Sequence, residues 1–130
     1  MRLLNPADGS PVAEVAEDSA AAIAEKYSRT RAAQPAWAAT SLDARLAAIR
    51  RFKGEVAQRK ADLARTLTRE MGKPIRQSHN ELDALAGRLD FFLEHAARAL
   101  APETVLEEPK LRERITHEPL GVVANISAWN

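Results

Sequence analysis

The sequence predicts an α/β chain that is mostly helical with short strands, and three observations predict it. Apolar residues recur at three- and four-residue intervals over most of the stretch from Ser19 to about Leu100, the spacing of one helical face. Turn formers in Asn5-Pro6-Ala7-Asp8-Gly9 separate two short segments near the N-terminus, Arg2 to Leu4 and Pro11 to Val15, which suggests a small hairpin. Gly121-Val122-Val123-Ala124-Asn125-Ile126-Ser127 is a nearly continuous apolar run of strand length, the pattern of a strand covered on both faces in a parallel sheet.

Each helix has its own start and stop. Ser19 is a plausible N-cap for an Ala-rich run that places Ile23 and Tyr27 four apart, and Pro35 is expected to end it. Thr40, followed three residues later by Asp43, resembles a capping box for a second helix carrying Leu42, Leu46, Ile49, Phe52 and Val56. Leu63, Leu67 and Met71 continue a helical stripe to Gly72, which stands before Lys73 and Pro74 as a normal helix stop. The longest periodic stretch follows, with Ile75, Leu82, Leu85, Leu89, Phe92 and Ala96 on one face up to about Leu100. Pro102 breaks that pattern, and Arg112 to Glu118 alternates as a strand does, with Ile115 on one face.

The 130 residues are enough for one ordinary domain, and 45% hydrophobic with 28% charged residues fits a soluble globular chain better than a disordered or fibrous one. Nineteen Lys and Arg against eighteen Asp and Glu leave a formal charge of +1, too little single-sign field to gather nucleic acid or anionic lipid. No apolar run from the N-terminus is long enough for a signal peptide or a membrane span, so a cytoplasmic location is expected, with neither nucleic acid nor membrane as partner. With no cysteine, disulfides, thiolate metal sites and a cysteine nucleophile within these residues are excluded. The apolar run at 121–127 needs neighbouring strands reached through crossovers, so the chain is expected to be an incomplete portion of a larger sheet protein.

Local chemistry is sparse. The five glycines are too far apart for a dinucleotide fingerprint, and Gly72-Lys73 has neither the upstream glycine nor the hydroxyl residue of a phosphate loop. His79, His95 and His117 form no metal-binding pair, and no metal site is expected. Glu81 and Asp83, two apart on a helix, point in different directions and read as a solvated face. Arg45, Arg50, Arg51, Lys53, Arg59 and Lys60 are interrupted by apolar positions at helical spacing and balanced by nearby acids, as on a helix surface.

What remains is Trp129 and Asn130, directly after the apolar run. Ligands of open α/β sheets bind beyond the carboxyl ends of strands, which makes both residues positional candidates. A Trp packed on a core edge and an Asn that terminates a strand would give the same sequence.

Four motifs now stand in order: Asn5-Pro6-Ala7-Asp8-Gly9, Pro35-Ala36-Trp37, Glu70-Met71-Gly72-Lys73-Pro74, and Glu118-Pro119-Leu120-Gly121-Val122-Val123 running to Trp129-Asn130. In this order and at these intervals they resemble the N-terminal part of the aldehyde dehydrogenase superfamily, over essentially the whole chain. The resemblance implies a hairpin (1–17), helices (18–101), part of an arm of oligomerisation strands (102–118) and the first strand of a Rossmann-like nucleotide-binding sheet (119–130). Residue by residue, Asn130 matches the family Asn whose side-chain amide helps hold the oxyanion of the thiohemiacetal intermediate. Ile126, Ser127, Ala128 and Trp129 match the segment that lines the cofactor cleft. Ala128 stands where many members have Pro, and Gln34 where an aromatic is usual.

The family oxidises an aldehyde to a carboxylic acid with NAD or NADP, NAD being the commoner. A cysteine thiolate attacks the aldehyde, hydride passes to the nicotinamide, and a carboxylate-activated water hydrolyses the thioester. The cysteine, the general-base glutamate and the ribose- and phosphate-binding residues lie later in the family, and this chain has no Cys. The resemblance therefore implies an inactive isolated chain, with the small-molecule aldehyde, the cofactor and a homodimer or homotetramer belonging to the longer protein. The alternative is a non-catalytic helical binding or assembly module that keeps the family's N-terminal fold, its apolar strand pairing with a sheet edge elsewhere.

Overall fold

A computed structural model describes residues 1–127. The elements follow the order β1 (Arg2–Leu4), β2 (Pro11–Glu14), α1 (Ala20–Ala38), α2 (Leu42–Gln58), α3 (Lys60–Met71), α4 (Ile75–Ala99), β3 (Glu103–Glu108) and β4 (Leu111–Ile115). They divide into two compact units, one built from Met1–Glu17 with Asp43–Ala96, the other from Asp18–Leu42 with the chain from Ala97 onward.

In the first unit, β1 and β2 pair antiparallel, Arg2 opposite Glu14 and Leu3 opposite Ala13, with a register shift between Leu3 and Leu4. Their connection is built as its residues dictate. The Asn5 side chain accepts from the Ala7 amide at 3.0 Å, the Asp8 carboxylate accepts from the Ser10 amide at 2.9 Å, and Gly9 takes φ +71°. The hydrogen bonds from Ser10 hold the Asp8 carboxyl below its ordinary value of 3.8.

The helices of this unit cover part of the faces that periodicity marks, while Ile49, Phe52 and Ile75 on those faces are 38%, 51% and 43% exposed. Leu63, Leu67 and Met71 of α3 and Leu82, Leu85 and Leu89 of α4 are half-buried, and the tightest point is small: Ala64 and Ser78 are fully buried. There the Ser78 hydroxyl meets the Thr68 hydroxyl at 2.8 Å, so the buried polar group is satisfied across the two helices. Lys60 pairs with Asp83 at 2.5 Å and Lys53 pairs with Asp90. Lys53 stands on α2 and Lys60 at the start of α3, and as the chain advances from one to the other their partners on α4 step back from Asp90 to Asp83, so this stretch runs antiparallel to α4. The inward stripe of α4 drifts at its end: Leu93 and Ala96 are half-buried, whereas Phe92, expected inside, is 58% exposed.

Gly72 closes α3 in the left-handed conformation, φ +71°, its amide donating to the Thr68 carbonyl at 2.8 Å. A second constraint acts at the same place, because a Cβ on Gly72 would stand 2.6 Å from Cγ of Pro6 in the hairpin turn. Lys73, largely covered, reaches Glu81 at 2.5 Å, and the Pro74 carbonyl accepts from Gln77 at 2.8 Å to start α4. The motif Glu70-Met71-Gly72-Lys73-Pro74 is thus a helix-to-helix corner that also seats the hairpin.

In the second unit, Ser19 caps α1 as expected, its hydroxyl accepting from the Ala22 amide at 3.2 Å. Two expectations fail here for physical reasons. Pro35 lies inside α1, which runs on to Ala38; a proline removes a single donor, and the carbonyls of Pro35 and Trp37 still receive the amides of Ala39 and Thr40. Thr40 does not open α2, since its hydroxyl donates back to the Ala36 carbonyl at 3.1 Å and finishes α1 instead.

β3 and β4 form an antiparallel hairpin, Glu107 opposite Arg112 and Glu108 opposite Leu111, closed by Pro109 and Lys110. The periodic reading had only the second of these strands. Among the described residues no non-glycine residue has positive φ, so this two-residue connection is not of the I′ type that matches strand twist, and the register shifts between Thr104 and Leu106. Glu107 and Arg112 form a cross-strand ion pair. Residues 116–127 have no helix or strand: the apolar run expected as a strand has no ladder partner among the described residues, and a strand is defined by one.

Candidate functional site

Of the five residues that the sequence marks at its end, Ile126 and Ser127 are described, while Ala128, Trp129 and Asn130 lie outside the described residues. Ile126 is 93% exposed. The Ser127 hydroxyl stands 3.5 Å from the Asn125 side-chain oxygen, the long limit of a hydrogen bond. Neither Ile126 nor Ser127 is one of the charged or glycine-loop groups that bind a dinucleotide's phosphates and ribose.

Several of the other polar candidates are engaged in ion pairs or ring contacts. Glu81 pairs with Lys73 and Asp83 with Lys60, so these carboxylates link structural elements and do not form an acid and base pair. Lys53 and Lys60 of the basic group are neutralised by Asp90 and Asp83. His95 packs edge-on against Phe91 at 4.5 Å between ring centres, and no group of three His, Asp or Glu able to hold a metal occurs among the described residues. No helix among them is long and apolar enough to cross a membrane.

A cleft that residue-pattern reasoning missed lies within the second unit. It encloses about 270 Å³ between Thr30, Gln34 and Trp37 of α1 and the chain at Gly121–Val123. Over residues 116–127, Gly121 and Val122 are half-buried and every other residue is exposed, so the apolar run is anchored at this point. Gly121 has φ +99°, and a Cβ there would stand 3.3 Å from a guanidinium nitrogen of Arg31. The available signals were the lone Gly121 at the head of the apolar run and the polar Gln34 in an otherwise Ala-rich helix.

The sequence model of the aldehyde dehydrogenase family matches residues 1–130. The chain belongs to the aldehyde dehydrogenase family. It is 35% identical to an N-succinylglutamate 5-semialdehyde dehydrogenase of Chromobacterium violaceum over 133 aligned positions, covering 100% of this chain and 26% of that protein. It is 30% identical to a glutarate-semialdehyde dehydrogenase of Pseudomonas putida, over 100% of this chain and 27% of that protein. The chain thus spans about a quarter of the length of the curated relatives it matches. The fold agrees as well: the crystal structure of an aldehyde dehydrogenase from Brucella melitensis biovar abortus 2308 superposes with a TM-score of 0.80 at 28% identity, over 88% of this chain and 24% of that one. Within the aldehyde dehydrogenase fold, the hairpin, the helices and the β3–β4 pair described above are the N-terminal portion.

Proposed function

We propose that the protein carrying these residues oxidises an aldehyde to a carboxylic acid with NAD(P)+, NAD being favoured, and that Asn130 supplies an oxyanion donor. The observation that carries this reading is the family match over residues 1–130, which includes Asn130. A neutral amide is suited to the role, because a donor aimed at developing negative charge stabilises the transition state more than the ground state. Ile126, Ser127, Ala128 and Trp129 line the cofactor cleft in this reading, and residues 119–130 form the first strand of the nucleotide sheet once neighbouring strands pair with it. Residues 102–118 form part of an arm that joins subunits of a cytoplasmic homodimer or homotetramer. The exposed edges of β3 and β4 support that role, since unpaired strand edges seek partners.

The two sequence relatives named above are dehydrogenases of semialdehydes, so a substrate panel starts with N-succinylglutamate 5-semialdehyde and glutarate semialdehyde beside simple aliphatic aldehydes. Purified longer protein is expected to form NADH or NADPH only when aldehyde is added. Asn130→Ala should lower kcat by about 10²–10³-fold, the size of effect seen when one oxyanion donor is removed. The 130-residue chain, with no cysteine to attack an aldehyde, should form none. Saturable NADH formation by the 130-residue chain, or an Asn130→Ala enzyme at full rate, would sink the respective assignment. The second reading, a binding or assembly module, is favoured by one observation, the exposure of Leu120 at 96% and Ile126 at 93%. It gains if the natural protein has the 14.3 kDa mass of this chain and binds a complementary chain stoichiometrically.

A further inference from the structure

The β3–β4 hairpin carries its charge unevenly. β3 holds Glu103, Glu107 and Glu108 and no base, while β4 with its turn holds Lys110, Arg112 and Arg114 against the single acid Glu113. Of the two strands only Leu106 is half-buried, and each strand has one edge with no ladder partner among the described residues. Residues opposite one another in an antiparallel pair share a face, so the observed register puts Arg112 and Arg114 on one face with Glu107, and Glu113 on the other. Arg112 is paired with Glu107; Arg114 stands opposite Thr104 and has no ion-pair partner among the described residues.

These charges decide which edge of a second copy either strand can take. Twofold pairing of β4 with β4 sets Arg112 against Arg114, or one of them against itself, at every register that pairs most of the strand, and like charges directly opposite are destabilising. β3 against β3 brings acids to acids with no base between them. β4 against β3 of another copy can repeat the register of the hairpin: Glu107 of that copy comes opposite Arg112, Thr104 opposite Arg114, and no like charges stand directly opposite. One guanidinium has donors enough for a carboxylate on each side. We propose that the free edge of β4 pairs with the free edge of β3 in a second copy of this chain, head to tail. The pairing deepens the reading of residues 102–118 as an arm that joins subunits, and it rests on that reading. A head-to-tail contact leaves one edge of each kind free, so association runs past a dimer until a ring closes.

The 130-residue chain has no cysteine, so single cysteines report the pairing directly. Glu113→Cys marks β4 and Leu106→Cys marks β3, and β4 against β3 is the pairing that brings the two, on separate chains, within the roughly 5.5 Å between Cα atoms that a disulfide spans. Mixed under a mild oxidant, the two chains are expected to form the mixed disulfide, told from either like disulfide by intact mass, in about fivefold excess over both together. Glu113→Cys removes an acid that would meet itself in β4 against β4, so the comparison is weighted against the proposal. In the cysteine-free chain, sedimentation should show association that weakens about fivefold between roughly 0.05 and 1 M NaCl, and by a similar factor on Arg114→Glu but not on Arg114→Lys. Arg114→Glu spares the Glu107–Arg112 pair, so the hairpin itself is retained. Like disulfides in excess, a chain that stays monomeric, or association indifferent to both salt and Arg114→Glu overturns the pairing; the last is what apolar contact through Leu120 and Ile126 would give. A longer protein that sediments as a monomer sinks the arm reading, and the pairing with it.

Discussion

The unit containing α2, α3 and α4 and the unit containing β3, β4 and the apolar run are made from similar amino acids, yet they end in different conditions. In the first, the polar groups at the tightest helix contact find partners a short way along the chain: Thr68 meets Ser78, Lys73 meets Glu81, and Gly72 returns its amide to Thr68. In the second, β3 and β4 pair only with each other among the described residues, and Val105, Leu111 and Ile115 remain about half exposed. Leu120 and Ile126 are almost fully exposed. The difference lies in the range of the interactions. Helices satisfy their backbones internally and need one covered stripe, whereas a strand's hydrogen bonds and both of its faces depend on other segments.

If the first unit is the self-sufficient one, overfilling its tightest point should have the largest effect on the stability of this chain. Ala64→Leu adds three carbons where the existing methyl is fully buried against its neighbours. The expected loss is about 1–3 kcal/mol, read as a lowered urea midpoint at unchanged m-value. A change below about 0.5 kcal/mol would mean that α3 is free to move away and that the contact is not a packed one.

Gly72→Ala sharpens the same comparison at a corner. Leaving glycine in the left-handed region costs about 1–2 kcal/mol on conformational grounds, and the added Cβ must also displace the Pro6 ring that stands 2.6 Å away. The sum of about 2 kcal/mol should appear in denaturation, and Gly72→Asn should recover part of the conformational share because Asn tolerates this region better. If Gly72→Ala is neutral while the hairpin amides exchange faster, then Pro6 has simply moved off and the hairpin is held by its own turn.

These two positions also show what was legible from the residues. Gly72 before Lys73-Pro74 announced a helix stop, and the turn at Asn5 to Gly9 announced a hairpin, because each depends on a few consecutive side chains acting on their own backbone. Even locally there were competitors: Thr40 had two backbone groups in reach and took the Ala36 carbonyl, and Pro35 removed too little hydrogen bonding to stop α1. That Gly72 touches Pro6, or that Gly121 lies beside Arg31, joins segments some 66 and 90 positions apart, and no periodicity encodes such pairs. β3 was missed because its alternation carries three glutamates and little apolar signal. Asn130, the residue with the most chemistry assigned to it, was reached through motif order and family resemblance, since a lone Asn after a strand has a structural explanation as good as the functional one.

The smallest expected effect is the most discriminating between the two units. Leu120→Ser and Ile126→Ser remove large apolar side chains, but at 96% and 93% exposure these side chains contribute almost nothing to the fold of the 130-residue chain. Its urea midpoint should therefore move by less than the equivalent of about 0.5 kcal/mol, and its tendency to self-associate should fall as apolar surface is removed. In the longer protein the same substitutions should be costly, by roughly 1.5–3 kcal/mol each, if residues 119–130 are covered there as a strand of the nucleotide sheet. A silent result in both contexts would leave the run without any covering partner and break the proposed assignment of this segment. A loss in both would show that the run is already packed within this chain, and that the contrast between the two units is smaller than their exposure indicates.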